Sequence, residues 1–308
     1  MTGRGGHAEG QSTSGGPPPD VRFHTFAGGR RIAWSEYGDP HGVPVVWNHG
    51  GLSCRLDAAR AHDPALAAGA RVIAPDRPGI GWSEREPGRT VVSWGADIEA
   101  LADHLGLDRF AVLGWSAGGP HALSCAAALP ERVTRVATCG GMAPLRSRAD
   151  TKELGLAVDR LMFPLAQRAP SLAARLVSLA SGRRGPEKAK VQMLKALGET
   201  DRAVLADWPA KELVGWEGNR VATFAHGPQG TVDDYRAVGA PDWGFAFADV
   251  EAHVDCWHGA DDELVPRSHA ERLASTLPDA ELRVVPGSGH FIPAQPDRLT
   301  EVLRTLVA

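Results

Sequence analysis

Residues 110–130 read FAVLGWSAGGPHALSCAAALP. A short apolar run, Phe110 through Leu113, enters Gly114-Trp115-Ser116-Ala117-Gly118, and an alanine-rich stretch leaves it and stops at Pro130. The apolar run predicts a buried strand and the stretch after it a helix, ended by a proline that has no N–H to continue the ladder. Gly-x-Ser-x-Gly at such a junction is a sharp turn that lifts a serine hydroxyl clear of a sheet, with glycines where the backbone passes closely. With 15 serines and 36 glycines in 308 residues, chance alone supplies roughly 0.2 matches to the pattern, so the flanking strand and helix decide the reading. They make Ser116 a candidate nucleophile rather than an ordinary turn serine.

Strands and helices continue to alternate on both sides. Upstream, 21–26 and 31–36 read as a hairpin across Gly28-Gly29, and 43–47 as the next strand. Segments 56–68 and 91–105 read as helices, 71–74 as a buried strand, and 133–138 as the strand after the central helix. Further on, 254–257 and 281–285 read as strands, and 269–276 and 296–306 as helices. This alternation predicts an α/β fold with a mostly parallel central sheet covered on both faces. Between 144 and 249 it stops, replaced by helix-like segments (153–166, 172–179, 187–197) and a stretch bearing Trp208, Trp216 and Trp243. The expected organisation is a core of 21–143 and 250–308 with a helical lid, 144–249, inserted once; excising 143–249 is expected to spare the sheet. Residues 1–20, rich in Gly, Ser and Pro and without an apolar h-region, read as a flexible tail.

The bulk numbers narrow the function. A hydrophobic content of 43% supports a sizeable core, and 33 Lys plus Arg against 37 Asp plus Glu leave a net charge of −4 with no like-charge block. That excludes the basic footprint of a nucleic-acid or anionic-membrane binder and points to a small-molecule partner. Cys54, Cys125, Cys139 and Cys256 lie far apart with no zinc-ligand spacing, so buried free thiols are expected and neither a metal nor another cofactor is called for. No run of 18 apolar residues exists, and a cytoplasmic location is the plain expectation. The oligomeric state is not readable.

A nucleophilic serine needs a base, a group to orient the base, and donors for the oxyanion. Asn48-His49-Gly50-Gly51-Leu52 follows the strand at 43–47, and its glycines leave a backbone N–H to face the site; the N–H of Ala117, at the start of its helix, is the second candidate donor. Asp262 follows the strand at 254–257 in His258-Gly259-Ala260-Asp261-Asp262, at the carboxyl edge where parallel sheets place functional groups. His290, in Gly287-Ser288-Gly289-His290-Phe291, follows the next strand and is the candidate base. Trp115 and Leu52 are candidate substrate contacts, with Trp208, Trp216 and Trp243 as possible pocket walls or, equally, lid core.

In this order, the His-Gly loop, Gly-x-Ser-x-Gly, Gly-x-x-Asp-x-x-Val-Pro and Gly-x-Gly-His resemble the α/β-hydrolase superfamily across residues 21–308. The run from Val72 to Ser83 is similar to that family's loop after the fourth strand, which assigns Asp76 and Arg77 to architecture. The resemblance implies an acyl-enzyme on Ser116, with His290 as base and Asp262 orienting it. In the family spacing the acid lies three after Gly and three before Val, which selects Asp262 over Asp261; Gly140-Gly141 occupies the alternative position for an acid. A serine at this turn sets the chain apart from dehalogenase and epoxide-hydrolase relatives, which use an aspartate. Leu52 stands where the family often has proline, so the first oxyanion donor is Gly51 or Leu52. The His49-Gly50-Gly51 start also resembles prolyl aminopeptidases, without their proline-glycine continuation.

The leading expectation is a serine hydrolase acting on a small or medium apolar ester or lactone. Acyl transfer, C–C bond hydrolysis, a cofactor-free biosynthetic step and aminopeptidase action keep the same residues, and a non-catalytic ligand receptor would keep only the pocket.

Overall fold

The computed structural model describes residues 21–181, 186–206, 208 and 210–308. Eight strands, β1 (Arg22–Thr25), β2 (Arg31–Gly38), β3 (Val43–Asn48), β4 (Ala70–Pro75), β5 (Phe110–Trp115), β6 (Val133–Cys139), β7 (Val254–Gly259) and β8 (Ala280–Val285), form one sheet in the order β1-β2-β4-β3-β5-β6-β7-β8. The β1–β2 and β2–β4 pairings are antiparallel and the other five parallel. Helices α1 (His62–Ala68), α2 (Trp94–His104) and α3 (Gly118–Ala128) connect the first strands. Between β6 and β7 come α4 (Arg148–Glu153), α5 (Ala157–Arg168), α6 (Pro170–Ala180), α7 (Pro186–Lys195), α8 (Glu199–Ala206), α9 (Ala210–Thr223) and α10 (Gln229–Val238), with no strand among the described residues. The chain ends in α11 (Ser268–Thr276) and α12 (Pro296–Val307).

The continuous apolar runs of the central strands follow from burial on both faces. All six residues of β5 are buried. Ala111 and Leu113 pack on one face with Val45, Trp47, Ala65 of α1 and Leu299, Val302 and Leu303 of α12. Phe110 and Val112 pack on the other with Val46, Ile98 and Leu101 of α2 and Leu123 of α3. Each such buried Val, Leu or Phe contributes about 1.5–3 kcal/mol. In α12 the buried residues are Leu299, Val302, Leu303 and Leu306, a stripe at helical spacing that docks the last helix on the sheet.

Local chemistry moves several expected boundaries. The helix expected over 56–68 is a 3-10 turn, Arg55–Ala61, followed by α1, because Pro64 cannot donate to the carbonyl of residue 60. The helix expected from 91 begins at Trp94, since Thr90 and Ser93 exchange side-chain-to-backbone hydrogen bonds of 3.1 and 3.3 Å just before it. The helix expected over 153–166 is broken: α4 ends at Glu153 and α5 starts at Ala157. Gly155, in the break, donates its N–H to Leu264 O at 2.9 Å, and a Cβ there would lie 1.7 Å from Glu263 O. Only glycine lets the chain pass that close to the loop carrying Asp262. No helix of the described residues is long and apolar enough to cross a membrane.

Candidate active site

The turn between β5 and α3 requires its glycines. A Cβ on Gly114 would lie 2.4 Å from Gly118 O, and one on Gly118 would lie 2.0 Å from Asn48 O. Ser116 between them has φ +53, and its N–H donates to Cys139 O at 2.9 Å. Among the described residues only Ser116 and Leu52 (φ +54) are non-glycine residues at positive φ. Strain of this kind costs roughly 1–3 kcal/mol per residue and concentrates at functional sites. Both line a cavity of about 250 Å³ that His290, Trp115, Ala117 and Gly51 also line. The four cysteines are free and buried away from it.

His290 and Asp262 arrive from the loops after β8 and β7. His290 Nδ1 donates to Asp262 Oδ2 at 2.8 Å, and Asp262 Oδ1 accepts the N–H groups of Leu264 and Val265 at 2.8 and 2.9 Å. An ionised acceptor on Nδ1 fixes the proton there and leaves Nε2 as the basic nitrogen. Burial works against an ionised Asp262, yet the His290 charge and hydrogen bond, with His258 and the Val265 N–H behind them, hold the carboxyl below the usual carboxylate range. Burial also works against a charged His290, but Asp262, Asp201 and Asp159 outweigh it and raise the imidazole above its ordinary 6.5. Asp261 is exposed, and its Oδ2 accepts from Thr200 Oγ1 at 3.1 Å. At Gly140 (φ +55) a Cβ would lie 2.9 Å from His290 Nδ1 and 3.2 Å from Asp262 Oδ2, so the backbone after β6 closes against this pair.

The N–H groups of Gly51, Leu52 and Ala117 donate to no acceptor among the described residues and stand at the cavity wall. The loop bearing Gly51 is held from behind by Arg77, whose Nη1 donates to His49 O at 2.7 Å and Nη2 to Gly50 O at 3.0 Å. Arg77 is fully buried and pairs with Asp234 of α10 at 2.8 Å, which Arg89 also contacts. Burial opposes an ionised Asp234, but these two guanidinium groups outweigh it and hold the carboxyl well below its ordinary value. Asp76 instead pairs with buried Arg55 at 2.8 Å and accepts Trp82 N–H at 2.9 Å.

Sequence reasoning missed the residues that reach the site from between β6 and β7. Asp201 of α8 accepts the N–H groups of His290 and Phe291 at 2.9 and 3.1 Å, and thereby anchors the loop that carries His290. Asn219 of α9 accepts Cys54 N–H at 3.1 Å and donates to Ser53 Oγ at 2.8 Å, just past Leu52. With Asp234, these contacts tie the segment between β6 and β7 to the core loops that carry His290, Ser53 and Arg77. Of the expected walls, Trp115 and Trp216 line the cavity. Trp243 does not: it is buried against Phe245 and Phe247, with Nε1 donating to Val238 O at 3.0 Å. Trp208 is likewise not a wall; it stacks on the Arg60 guanidinium, 5.0 Å from ring centroid to carbon. Neither position could be told from a wall by sequence, since an indole suits a core and a pocket equally.

A family model described as alpha/beta hydrolase fold matches residues 43–296. The chain is 31% identical over 231 residues, 74% of its length and 83% of the relative's, to a pimeloyl-[acyl-carrier protein] methyl ester esterase of Aromatoleum aromaticum. It is 27% identical over 270 residues, 86% of its length and 91% of the relative's, to a non-heme chloroperoxidase of Streptomyces lividans. The crystal structure of a hydrolase from Pseudomonas aeruginosa PA01 superposes with a TM-score of 0.69 at 19% identity, covering 95% of this chain and 100% of that one, a likeness of fold. The chain belongs to the α/β-hydrolase fold family.

Proposed function

We propose that this protein is a serine hydrolase that cleaves a small or medium apolar carboxylic ester or lactone through an acyl-enzyme. One observation carries the reading: strained Ser116, His290 with its 2.8 Å hydrogen bond to Asp262 behind it, and the unpaired N–H groups of Gly51, Leu52 and Ala117 meet at one cavity. Ser116 Oγ attacks the carbonyl carbon as its proton passes to His290 Nε2. The oxyanion accepts hydrogen bonds from Ala117 N–H and from Gly51 or Leu52 N–H, each worth about 10²–10³ in rate. His290 returns the proton to the departing alkoxide. Water, deprotonated by the same nitrogen, then attacks the acyl carbon and releases the acid and Ser116.

Met142, Phe163, Met193 and Val238 line the cavity and suit an apolar acyl or alcohol group of a few carbons. In this reading the segment 144–249 is the lid that closes the cavity, and the enzyme acts on a small molecule in the cytoplasm. The test is labelling with a fluorophosphonate probe and mapping of the modified residue by mass spectrometry, followed by a panel of esters, lactones, amides and β-diketones. Labelling at Ser116 with ester turnover, both lost in Ser116→Ala, is expected. Full activity in Ser116→Ala sinks the mechanism, and turnover confined to β-diketones or amides sinks the substrate class.

A further inference from the structure

One side of the cavity carries polar groups that hydrogen-bond to neither Ser116 nor His290. Asp159 stands in the first turn of α5, and Thr231 and Tyr235 stand one turn apart on α10; all three line the cavity. Tyr235 O–H donates to Asp159 Oδ1 at 2.8 Å, and the Tyr235 ring is fixed edge-on by Phe163 at 5.0 Å. Asp159 Oδ2 accepts no hydrogen bond from any described residue. The adjacent Arg160 leaves it unpaired, turning its guanidinium to Leu154 O and Gly155 O at 2.6 and 2.9 Å. Thr231, 2% exposed, has a buried Oγ1 with no partner.

A buried polar group without a partner costs about 1–3 kcal/mol, and Thr231 Oγ1, in one wall with the open oxygen of half-buried Asp159 and beside Phe163, Met142 and Val238, calls for a ligand that completes both. Asp159 Oδ2 is an acceptor, and the Thr231 hydroxyl can donate. A hydroxyl group matches both, donating once and accepting once. An ammonium group would bring three donors to a wall with one open carboxylate oxygen and apolar neighbours.

We propose that Asp159, Thr231 and Tyr235 form a specificity subsite that takes a hydroxyl group of the substrate, making the preferred ester a hydroxylated one. The substrate class rests on the ester-hydrolase reading; the hydroxyl subsite itself can be tested without turnover. Asp159 Oδ2 accepts the ligand O–H, Thr231 Oγ1 donates to the ligand oxygen, and Tyr235 holds the carboxylate in place.

The experiment uses matched esters, methyl hexanoate with methyl 6-hydroxyhexanoate and hexyl acetate with 6-hydroxyhexyl acetate, so that acyl-side and alcohol-side hydroxyls are both offered. An aminoalkyl analogue of each is included. Binding of the uncleaved esters to Ser116→Ala is measured by calorimetry, and kcat/KM on the unsubstituted protein. In one pair the hydroxylated member is expected to be favoured at least about tenfold, the effect of a hydrogen bond to a charged acceptor. That ratio should fall toward one in the isosteric variants Asp159→Asn and Thr231→Val, each first shown to fold by its melting curve. Parity in both pairs overturns the subsite, and preference for the amine overturns the hydroxyl assignment. Because binding is read in Ser116→Ala, loss of the subsite and loss of the serine mechanism give different results.

Discussion

Gly140→Ala should disable the enzyme while barely unfolding it. The added Cβ would lie 2.9 Å from His290 Nδ1, 3.1 Å from His290 Cε1 and 3.2 Å from Asp262 Oδ2, where ordinary contact begins at 3.4 Å. The carbon therefore wedges against both ends of the 2.8 Å hydrogen bond that orients His290, the base of the proposed mechanism. Relief needs a shift of about 0.5 Å at the imidazole, and displacements approaching 1 Å cost on the order of 10²-fold in rate. A fall in kcat of about 10- to 100-fold follows, with KM little changed because no apolar wall of the cavity moves. Alanine at φ +55 adds strain of about 1–2 kcal/mol, which in a chain of this size lowers Tm by only several degrees.

Gly106→Ala separates the two effects, because Gly106 has φ +65 and nothing within 4 Å of where a Cβ would stand, so it carries the strain without the contact. The assay is kcat and KM on p-nitrophenyl butyrate beside Tm, for both variants. Should Gly140→Ala keep kcat within about twofold of the parent, or Gly106→Ala lose as much, the claim that this hydrogen bond sets the rate is refuted.

Four other outcomes are expected. Since His290 is raised above 6.5 and must be neutral to accept the serine proton, kcat/KM should fall as pH drops through a value above 6.5; a flat profile from about pH 5 to 8 contradicts this. Asp262→Asn should cut kcat by about three orders of magnitude or more with folding intact, whereas Asp261→Asn, which loses only the contact to Thr200, should cost little; reversed results would overturn the choice between them. Asp201→Asn removes a carboxylate that raises His290 and leaves one of two backbone N–H groups without its acceptor, so the acid limb of the pH profile should move to lower pH and kcat fall about tenfold; an unmoved limb refutes the coupling. Asp234→Ala leaves fully buried Arg77 without its 2.8 Å partner and should cost about 3–5 kcal/mol in urea unfolding, and a loss under about 1 kcal/mol would show that Arg89 and the loop carbonyls do not depend on it.

What the sequence determined by itself is what short-range chemistry encodes. The apolar runs at 43–47 and 110–113 specify strands buried on both faces, and glycines 114 and 118 specify a turn in which no Cβ fits. Asp262 and His290 could be singled out as candidates because each follows a strand of a parallel sheet, whose carboxyl edge gathers such loops whatever their separation in sequence. What only the tertiary structure decided is which distant side chains close around that edge. Asp201 reaches His290 across 89 residues, Asn219 reaches Cys54 across 165, and Asp234 reaches Arg77 across 157. None carries a local signal, because an acid or amide on a helix looks solvent-facing until its partner is known. In α10 the effect is strongest: Thr231, Asp233, Asp234 and Tyr235 are all buried, so the polar-outside periodicity that marks a helix is absent, and the stretch that bears Trp208, Trp216 and Trp243 holds two helices, α9 and α10. Hydrophobic patterning reports how each element meets water, whereas the contacts that complete this site are polar, buried and long-range, and they exist only once the chain has folded.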